Sequence, residues 1–142
     1  MNNNFLENDS IIIPNYFMNI VYNSKIIPNE TKYDIIKTWA NCQVFSYELL
    51  RFNNKKIPNL RSKELWEDKT FSKVIYDNFI PLDILFFNSK DEYYGAHIWV
   101  YIWNNKVLHI SKDIWYPVIW EVKDFKNIEK YNYFLWAKRF FD

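Results

Sequence analysis

The sequence predicts an α+β fold in which a helix that carries the catalytic residue packs on a mostly antiparallel β-sheet. Apolar residues recur at helical spacing between Asn41 and Phe52, which predicts an amphipathic helix. The second half of the chain consists of short β-branched and aromatic runs bounded by turn-forming residues, which are typical of strands. Helices followed by consecutive strands with short connections favour an α+β arrangement.

The size and composition of the chain suit one globular unit. Its 142 residues predict a single domain over positions 1–142. The core must be rich in rings, because 12 Phe, 11 Tyr and 7 Trp make up 21% of the chain. A formal charge of +1, without long runs of either sign, argues against nucleic-acid and membrane partners. The first residues do not look like a signal peptide, so we expect a cytoplasmic protein, with export by a specialised route as the alternative.

The first forty residues carry weaker signals than the rest. Positions 1–10 are polar and are expected to be flexible. Positions 11–22 should be extended, because Pro14 interrupts any helix there. After a turn at positions 28–31, we expect a short helix or an irregular lead-in over 32–39.

Two helices are expected next. The longer one is predicted by apolar residues at steps of three and four: Cys42, Phe45, Leu49 and Phe52. Asn41 is its predicted N-cap, and Asn53 with Asn54 should end it ahead of Pro58. A shorter helix is predicted over positions 62–68, with Ser62 as its cap.

Five strands are predicted in the second half, over positions 82–87, 96–103, 106–111, 115–122 and 131–140. Asn104 and Asn105 indicate a hairpin turn, because Asn tolerates positive φ. Along 96–103, alternation places aliphatic side chains on one face, which we expect to be the core. The other face should carry four ring side chains, which we expect to line a cleft: His97, Trp99, Tyr101 and Trp103.

The chain has one cysteine and two histidines. These are too few for a disulfide or a closed tetrahedral zinc site, so we expect no metal and no cofactor. Cys42 in the first turn of a helix meets unpaired N–H groups, which favour the thiolate, although a lone cysteine is more often a small buried apolar residue. His97 among aromatic residues suits a general base, or is a structural histidine on a half-buried sheet. His109 taken alone would be a solvent-facing strand residue, but the three together supply a nucleophile, a base and an orienting residue.

The order and spacing of these residues resemble those of the NlpC-type cell-wall peptidases, a branch of the papain-like cysteine hydrolases. Positions 41–45 (Asn-Cys-Gln-Val-Phe) correspond to Asp-Cys-Ser-Gly-Leu at the head of the catalytic helix. Positions 81–87 correspond to Pro-Gly-Asp-Leu and a hydrophobic strand, and 97–103 to His-Val-Gly-Ile-Tyr-Leu-Gly. His109 corresponds to a third polar residue, often His. The resemblance covers positions 41–111.

The resemblance implies a cysteine peptidase or amidase that acts on peptidoglycan stem peptides through a Cys-His-His triad. Cys42 would form a thioester, His97 would accept the thiol proton, and His109 would hold the imidazole of His97. The backbone N–H of Cys42 would form part of an oxyanion hole. Three residues are candidates for the rest of that hole: Tyr22, Tyr33 and Gln43.

Several small residues of the family motifs are replaced here by larger ones: Gln43, Val44, Leu82, Trp99 and Trp103. We therefore expect Gln43 and Trp99, together with Tyr94 in the loop before His97, to contact a peptide or peptidoglycan-fragment substrate. Two other functions remain open, a catalytically inactive papain-like binding or immunity module and a thioester-forming acyltransferase. The sequence does not indicate an oligomeric state.

Strand parity places a condition on the triad. If residues 104–105 formed a strict two-residue loop, Val100 would pair with His109, which would then lie on the face opposite His97. An odd-length loop or one β-bulge between Ile102 and Leu108 brings both histidines to the same face. The triad therefore predicts such an irregularity.

Overall fold

The computed structural model describes residues 4–7, 11–23, 25 and 39–141. Two α-helices are present in this part of the chain, α1 (Cys42–Phe52) and α2 (Ser62–Glu67). The strands are β1 (Asn4–Glu7), β2 (Ile12–Pro14), β3 (Val21–Tyr22), β4 (Trp39–Ala40), β5 (Ser72–Ile75), β6 (Ile84–Asn88), β7 (His97–Trp103), β8 (Lys106–His109), β9 (Val118–Glu121) and β10 (Tyr133–Phe140). The 3-10 helices are Asn15–Asn19, Val122–Asn127 and Glu129–Tyr131. None of the described helices has the length and apolar character needed to cross a membrane.

A six-stranded sheet with the order β5-β10-β6-β7-β8-β9 dominates the fold, and every neighbouring pair in it is antiparallel. The predicted α+β class is therefore confirmed. All five predicted strands lie in this sheet, each one shorter than expected or shifted by a residue or two. The edge strand β5 was not predicted, because Ser-Lys-Val-Ile gives only two residues of high strand propensity.

The N-terminal predictions need two corrections. Asn4–Glu7, expected to be flexible, pairs antiparallel with Ile12–Pro14. Positions 11–22 are not one extended run, because a 3-10 helix over Asn15–Asn19 begins directly after Pro14. The side chain of Asn53 fixes this region to the end of α1, since it accepts the Ile12 N–H at 2.7 Å and donates to the Ile12 carbonyl at 2.9 Å. The lead-in predicted over 32–39 lies outside the described residues except for Trp39, which starts β4.

Both helices begin close to the predicted positions. The Asn41 side chain accepts the Val44 N–H at 2.8 Å, so Asn41 is the N-cap of α1, as predicted. Ser62 is not the cap of α2, because the helix is capped at Arg61, whose N–H is accepted by the Glu64 carboxylate at 3.1 Å. The Ser62 hydroxyl instead donates to the Tyr93 carbonyl at 2.9 Å, which fixes α2 to the loop before β7.

The sheet is buried on both faces. Helix α1 and the aliphatic face of β7 form one core with Phe45, Leu49, Ile98 and Val100. The opposite face carries a second core of aromatic and small residues: Leu85, Phe87, Trp99, Tyr101, Val107, Tyr131 and Ala137. The prediction that this second face lines an open cleft is therefore wrong, since the 3-10 segments after β9 cover it. A chain with this many rings fills both sides of its sheet with them.

The turn before β6 is tied to β10 by a partly buried ion pair. The Asp83 N–H donates to the Ile80 carbonyl at 3.1 Å, and Leu82 has a φ of 78°. Proline at the second position and a positive φ at the third are the pattern of a type II turn. The buried Asp83 carboxylate then accepts two hydrogen bonds from Arg139, both at 2.8 Å, and ties the turn to β10.

Candidate active site

Cys42 is the first residue of α1, directly after the capping Asn41. Its side chain is partly exposed and packs at the margin of the core between α1 and the sheet. The backbone N–H of Ile98 lies against the sulfur, together with the N–H groups of Cys42 and Gln43. Because Ile98 directly follows His97, the thiol lies beside the first peptide of β7.

Burial raises the pKa of the Cys42 thiol above its ordinary value, although these three N–H groups act in the opposite direction. The predicted thiolate-favouring position is therefore corrected, because the loss of solvent around the sulfur outweighs the polar groups of the helix start. In the unliganded protein the thiol is the dominant form near neutral pH.

His97 is the first residue of β7 and pairs with Phe87 of β6. Its half-buried imidazole contacts the ring of Tyr131 in a T-shaped arrangement, with 4.5 Å between the ring centroids. Burial lowers the pKa of His97 to about 4; the nearby Lys130 ammonium adds to this effect and the Asp113 carboxylate opposes it. The imidazole is therefore neutral at pH 7, the form in which it accepts a proton.

The irregularity predicted for the hairpin is present. Asn104 and Asn105 have φ values of 50° and 60°, as a two-residue turn requires. Tyr101 pairs with Val107 and Trp103 with Lys106, so Ile102 has no counterpart and forms a bulge. Because Val100 pairs with Leu108, His109 lies across from Trp99, on the same face as His97. Beyond the bulge, Trp103 leaves that face and packs against the aliphatic core, which corrects its predicted position.

His109 reaches the predicted face but does not make the predicted contact. Its ring stacks on Trp99 with 4.4 Å between centroids and meets the edge of Trp120 at 4.3 Å. Neither of its ring nitrogens has a hydrogen-bond partner among the described residues, so the expected hydrogen bond to His97 is not formed. Burial lowers the pKa of His109 to about 3, and the nearby His97 adds to that shift.

The structure adds two residues that sequence reasoning missed. Tyr131, at the end of a 3-10 helix, contacts His97 and is only 2% exposed. Ser111 is also 2% exposed, and its hydroxyl lies beside the Tyr131 phenol. Burial raises the pKa of that phenol, and the Ser111 hydroxyl lowers it by a smaller amount. The contact falls short of full hydrogen-bond geometry. The hairpin register with its bulge predicts Ser111 across from His97, whereas no pattern in the sequence indicates Tyr131.

Tyr22 is the best placed of the three candidates for the rest of the oxyanion hole. Its phenol lies within electrostatic range of Cys42, and burial is the main cause of its raised pKa. Its backbone N–H donates to the Trp115 carbonyl at 2.8 Å, which fixes β3 beside the loop after β8. Tyr33 lies outside the described residues, and Gln43 is partly exposed on the first turn of α1.

A cavity of about 450 Å³ adjoins the start of α1. Two of the three residues predicted to contact substrate, Gln43 and Tyr94, line it together with Asn41 and Gly95. Ser62 and four charged residues of both signs complete the lining: Arg61, Lys63, Glu64 and Glu67. Trp99, the third predicted contact, is only 1% exposed in the aromatic core, which corrects its assignment to an open cleft.

Among the described residues, no cluster of three or more His, Cys, Asp or Glu side chains could hold a metal ion.

No protein-family model and no curated protein sequence matches the chain. Among solved structures, the fold is similar to the crystal structure of an NlpC/P60 family protein from Bacillus cereus, with a TM-score of 0.56 and 15% sequence identity. The similarity covers 75% of this chain and 33% of that one, so this chain spans about a third of the length of the crystallised protein. A likeness at this identity shows the fold, which is the papain-like arrangement of an NlpC/P60 protein.

Proposed function

We propose that the protein is a cysteine-dependent hydrolase of amide bonds whose substrates are peptidoglycan stem peptides. The observation that carries this proposal is the position of Cys42, at the first residue of a capped helix with its sulfur against the peptide that follows His97. The similarity in fold to an NlpC/P60 structure supports it. The choice of a wall peptide as substrate depends on the sequence resemblance to NlpC-type peptidases.

In this proposal, the neutral imidazole of His97 accepts the thiol proton as the sulfur of Cys42 attacks the amide carbonyl. The carbon–nitrogen bond then breaks, the leaving amine takes the proton back from His97, and a thioester remains on Cys42. Water, deprotonated by His97, attacks the thioester; the carbon–sulfur bond breaks, the acid is released, and the sulfur of Cys42 takes the proton back from His97. Because thiol and imidazole are both neutral at rest, proton transfer accompanies attack and does not precede it.

The developing oxyanion needs hydrogen-bond donors. The backbone N–H of Cys42 belongs to the first turn of α1, where N–H groups have no acceptor within the helix. We assign the second donor to the Tyr22 phenol, which lies within electrostatic range of the sulfur. The orienting role predicted for His109 is not part of this proposal, because its ring packs against Trp99 and Trp120 and neither ring nitrogen hydrogen-bonds to His97 or to any other described residue.

The cavity beside α1 suits a short peptide that carries both a free carboxylate and a free amine. Arg61 and Lys63 offer positive charge to a carboxylate, while Glu64 and Glu67 offer negative charge to an amine. Gln43, which directly follows Cys42, and Tyr94 add hydrogen-bonding groups to the same lining. Stem peptides with a diamino acid have both kinds of group.

The test is incubation of the protein with a γ-glutamyl-diamino acid stem peptide, followed by mass spectrometry of the products and of the protein. We expect two peptide fragments and a transient adduct on Cys42, and neither with Cys42→Ala. The variant's circular dichroism should match that of the parent, since a partly exposed small side chain is replaced by a smaller one. A parent protein that neither cleaves the peptide nor forms an adduct would overturn the proposal.

One observation favours a second candidate, an inactive papain-like binding module. The raised pKa of Cys42 and the lowered pKa of His97 keep both groups neutral, without the thiolate–imidazolium pair of an activated thiol. This candidate predicts that the same stem peptide binds and is recovered intact. A third outcome, transfer of the acyl group to an added amine in place of water, would indicate an acyltransferase.

A further inference from the structure

We propose that Tyr131, held through its hydroxyl by Ser111, positions the imidazole of His97 for the reaction at Cys42. This inference rests on the proposed function and gives Tyr131 the orienting role that the sequence assigned to His109. Tyr131 is a positioning residue in this scheme, because it acts on the reaction through His97.

The ring of Tyr131 is in contact with the imidazole of His97. The His97 and Tyr131 rings meet at 75° with 4.5 Å between centroids, and Tyr131 also meets Trp99 at 77° and 5.5 Å. Edge-to-face packing of this kind limits rotation of the imidazole about its χ2 angle. Tyr131 is itself buried against Trp99, so it can hold His97 without moving.

Ser111 is the polar neighbour of the Tyr131 hydroxyl. Extending the β7–β8 register from Val100 and Leu108 by three residues places Ser111 across from His97. The carbonyl of Ser111 accepts the N–H groups of Ile114 and Trp115 at 3.2 and 2.8 Å, which fixes its backbone. Its hydroxyl is buried beside the Tyr131 phenol, and we assign the hold on Tyr131 to this group.

Tyr131 shares its electrostatic environment with Cys42 and His97. Its phenol lies within electrostatic range of Cys42 and of the ion pair between Asp113 and Lys130, whose charged atoms are 2.6 Å apart. The same ion pair acts on His97. Tyr131 thus contacts the imidazole and lies within range of both the thiol and the ion pair, whereas His109 is enclosed by Trp99 and Trp120.

The experiment compares Tyr131→Phe, Ser111→Ala and their double variant with the parent protein. Tyr131→Phe keeps the ring contact, so the fold should be retained. Tyr133→Phe is the matched control, because Tyr133 is exposed and two residues away. The measurements are kcat and KM on the stem peptide over a range of pH, and the nitrogen NMR signals that report the tautomer of His97. The chain has two histidines, so the signals are assigned with His109→Phe.

We expect either single variant to lower kcat by about threefold to tenfold with little change in KM, the size expected for one lost hydrogen bond. The double variant should be no slower than the single ones, because both changes break one interaction. The His97 tautomer ratio should change in all three variants and stay constant in Tyr133→Phe. Parent-like kcat and tautomer ratio in Tyr131→Phe would overturn the inference, as would a loss of turnover in His109→Phe alone.

The inference and the proposed function fail in different ways. If the parent protein does not cleave the peptide, the proposed function fails, and the tautomer ratio of His97 alone decides whether Tyr131 holds the imidazole. If the parent cleaves the peptide and the variants match it in both measurements, only the positioning role is lost.

Discussion

The indole of Trp99 stacks on the imidazole of His109, with 4.4 Å between the ring centroids and 21° between the ring planes. The edge of Trp120 closes the other side at 4.3 Å. Enclosure by two indoles removes water from the imidazole and leaves it only 1% exposed. A charged imidazole is disfavoured there, since no described side chain accepts a hydrogen bond from it.

This enclosure makes stability depend on pH. Burial lowers the pKa of His109 from 6.5 to about 3, so below pH 6.5 the unfolded chain binds a proton that the folded chain does not. The contribution of the neutral His109 imidazole to the free energy of unfolding is complete above pH 6.5 and is lost as the pH falls towards 3. Between pH 7.5 and 4.5, the free energy of unfolding should fall by about 2 to 3 kcal/mol more for the parent than for His109→Phe.

Urea unfolding at both pH values measures this difference. The carboxylates and His97 also make stability depend on pH, but they are present in both the parent and His109→Phe. Their effects therefore cancel when the two proteins are compared. Equal losses in parent and variant would mean that His109 takes up a proton in the folded state.

Alkylation of Cys42 by iodoacetamide should be slow at pH 7. The raised pKa of the thiol leaves less thiolate than in an unfolded chain, so the folded protein should label more slowly than the protein in urea. The rate should keep rising with pH beyond about 8.5, the ordinary pKa of a free cysteine. Fast labelling with a plateau below pH 7 would instead reveal a thiolate paired with a protonated His97.

Leu82 offers a test of backbone strain. Its φ of 78° suits glycine, the residue found here in the NlpC-type motif, and disfavours residues with a Cβ atom. Leu82→Gly and Leu82→Ala remove nearly the same buried side chain, so their difference isolates the backbone. We expect the glycine variant to be more stable than the alanine variant by about 1 kcal/mol in thermal or urea unfolding. The opposite order would show that the turn relaxes to negative φ.

Arg139 should stabilise the fold by neutralising the buried Asp83 carboxylate. Asp83 is fully buried, and its two oxygens accept from Arg139 at 2.8 Å. Arg139→Met leaves that charge without its partner and should lower the free energy of unfolding by about 3 kcal/mol. In Asp83→Asn, the same arginine change should cost much less, because no buried charge is left behind. Equal costs in both backgrounds would show that Arg139 stabilises the fold through its packing and its hydrogen bond to the Asn78 carbonyl, and not through the buried charge.

Much of this site is predictable from local sequence. Helical spacing with a capping Asn41 located the start of α1 and therefore Cys42. Alternation along β7 placed His97, and strand parity required the bulge that the hairpin contains. These predictions succeed because helix caps and side-chain alternation are set within a few residues of the chain.

The remaining features depend on distant contacts. Burial of the aromatic face follows from 3-10 segments over Val122–Asn127 and Glu129–Tyr131, far along the chain from β7, so Trp99 was assigned to a cleft that is filled. The pKa of Cys42 depends on how closely the sheet covers the helix start, which helix position alone does not reveal. Tyr131 reaches His97 by the same long-range packing.

The unpaired Ile102 decides which way β8 faces. Deleting it would leave Tyr101 across from Val107 and Val100 across from Leu108, so His109 would stay in the aromatic core. If Ile102 instead paired with Val107, every later pair would shift by one residue, Leu108 would enter the aromatic core and His109 would face α1. The orientation of a whole strand thus depends on one residue that makes no pair.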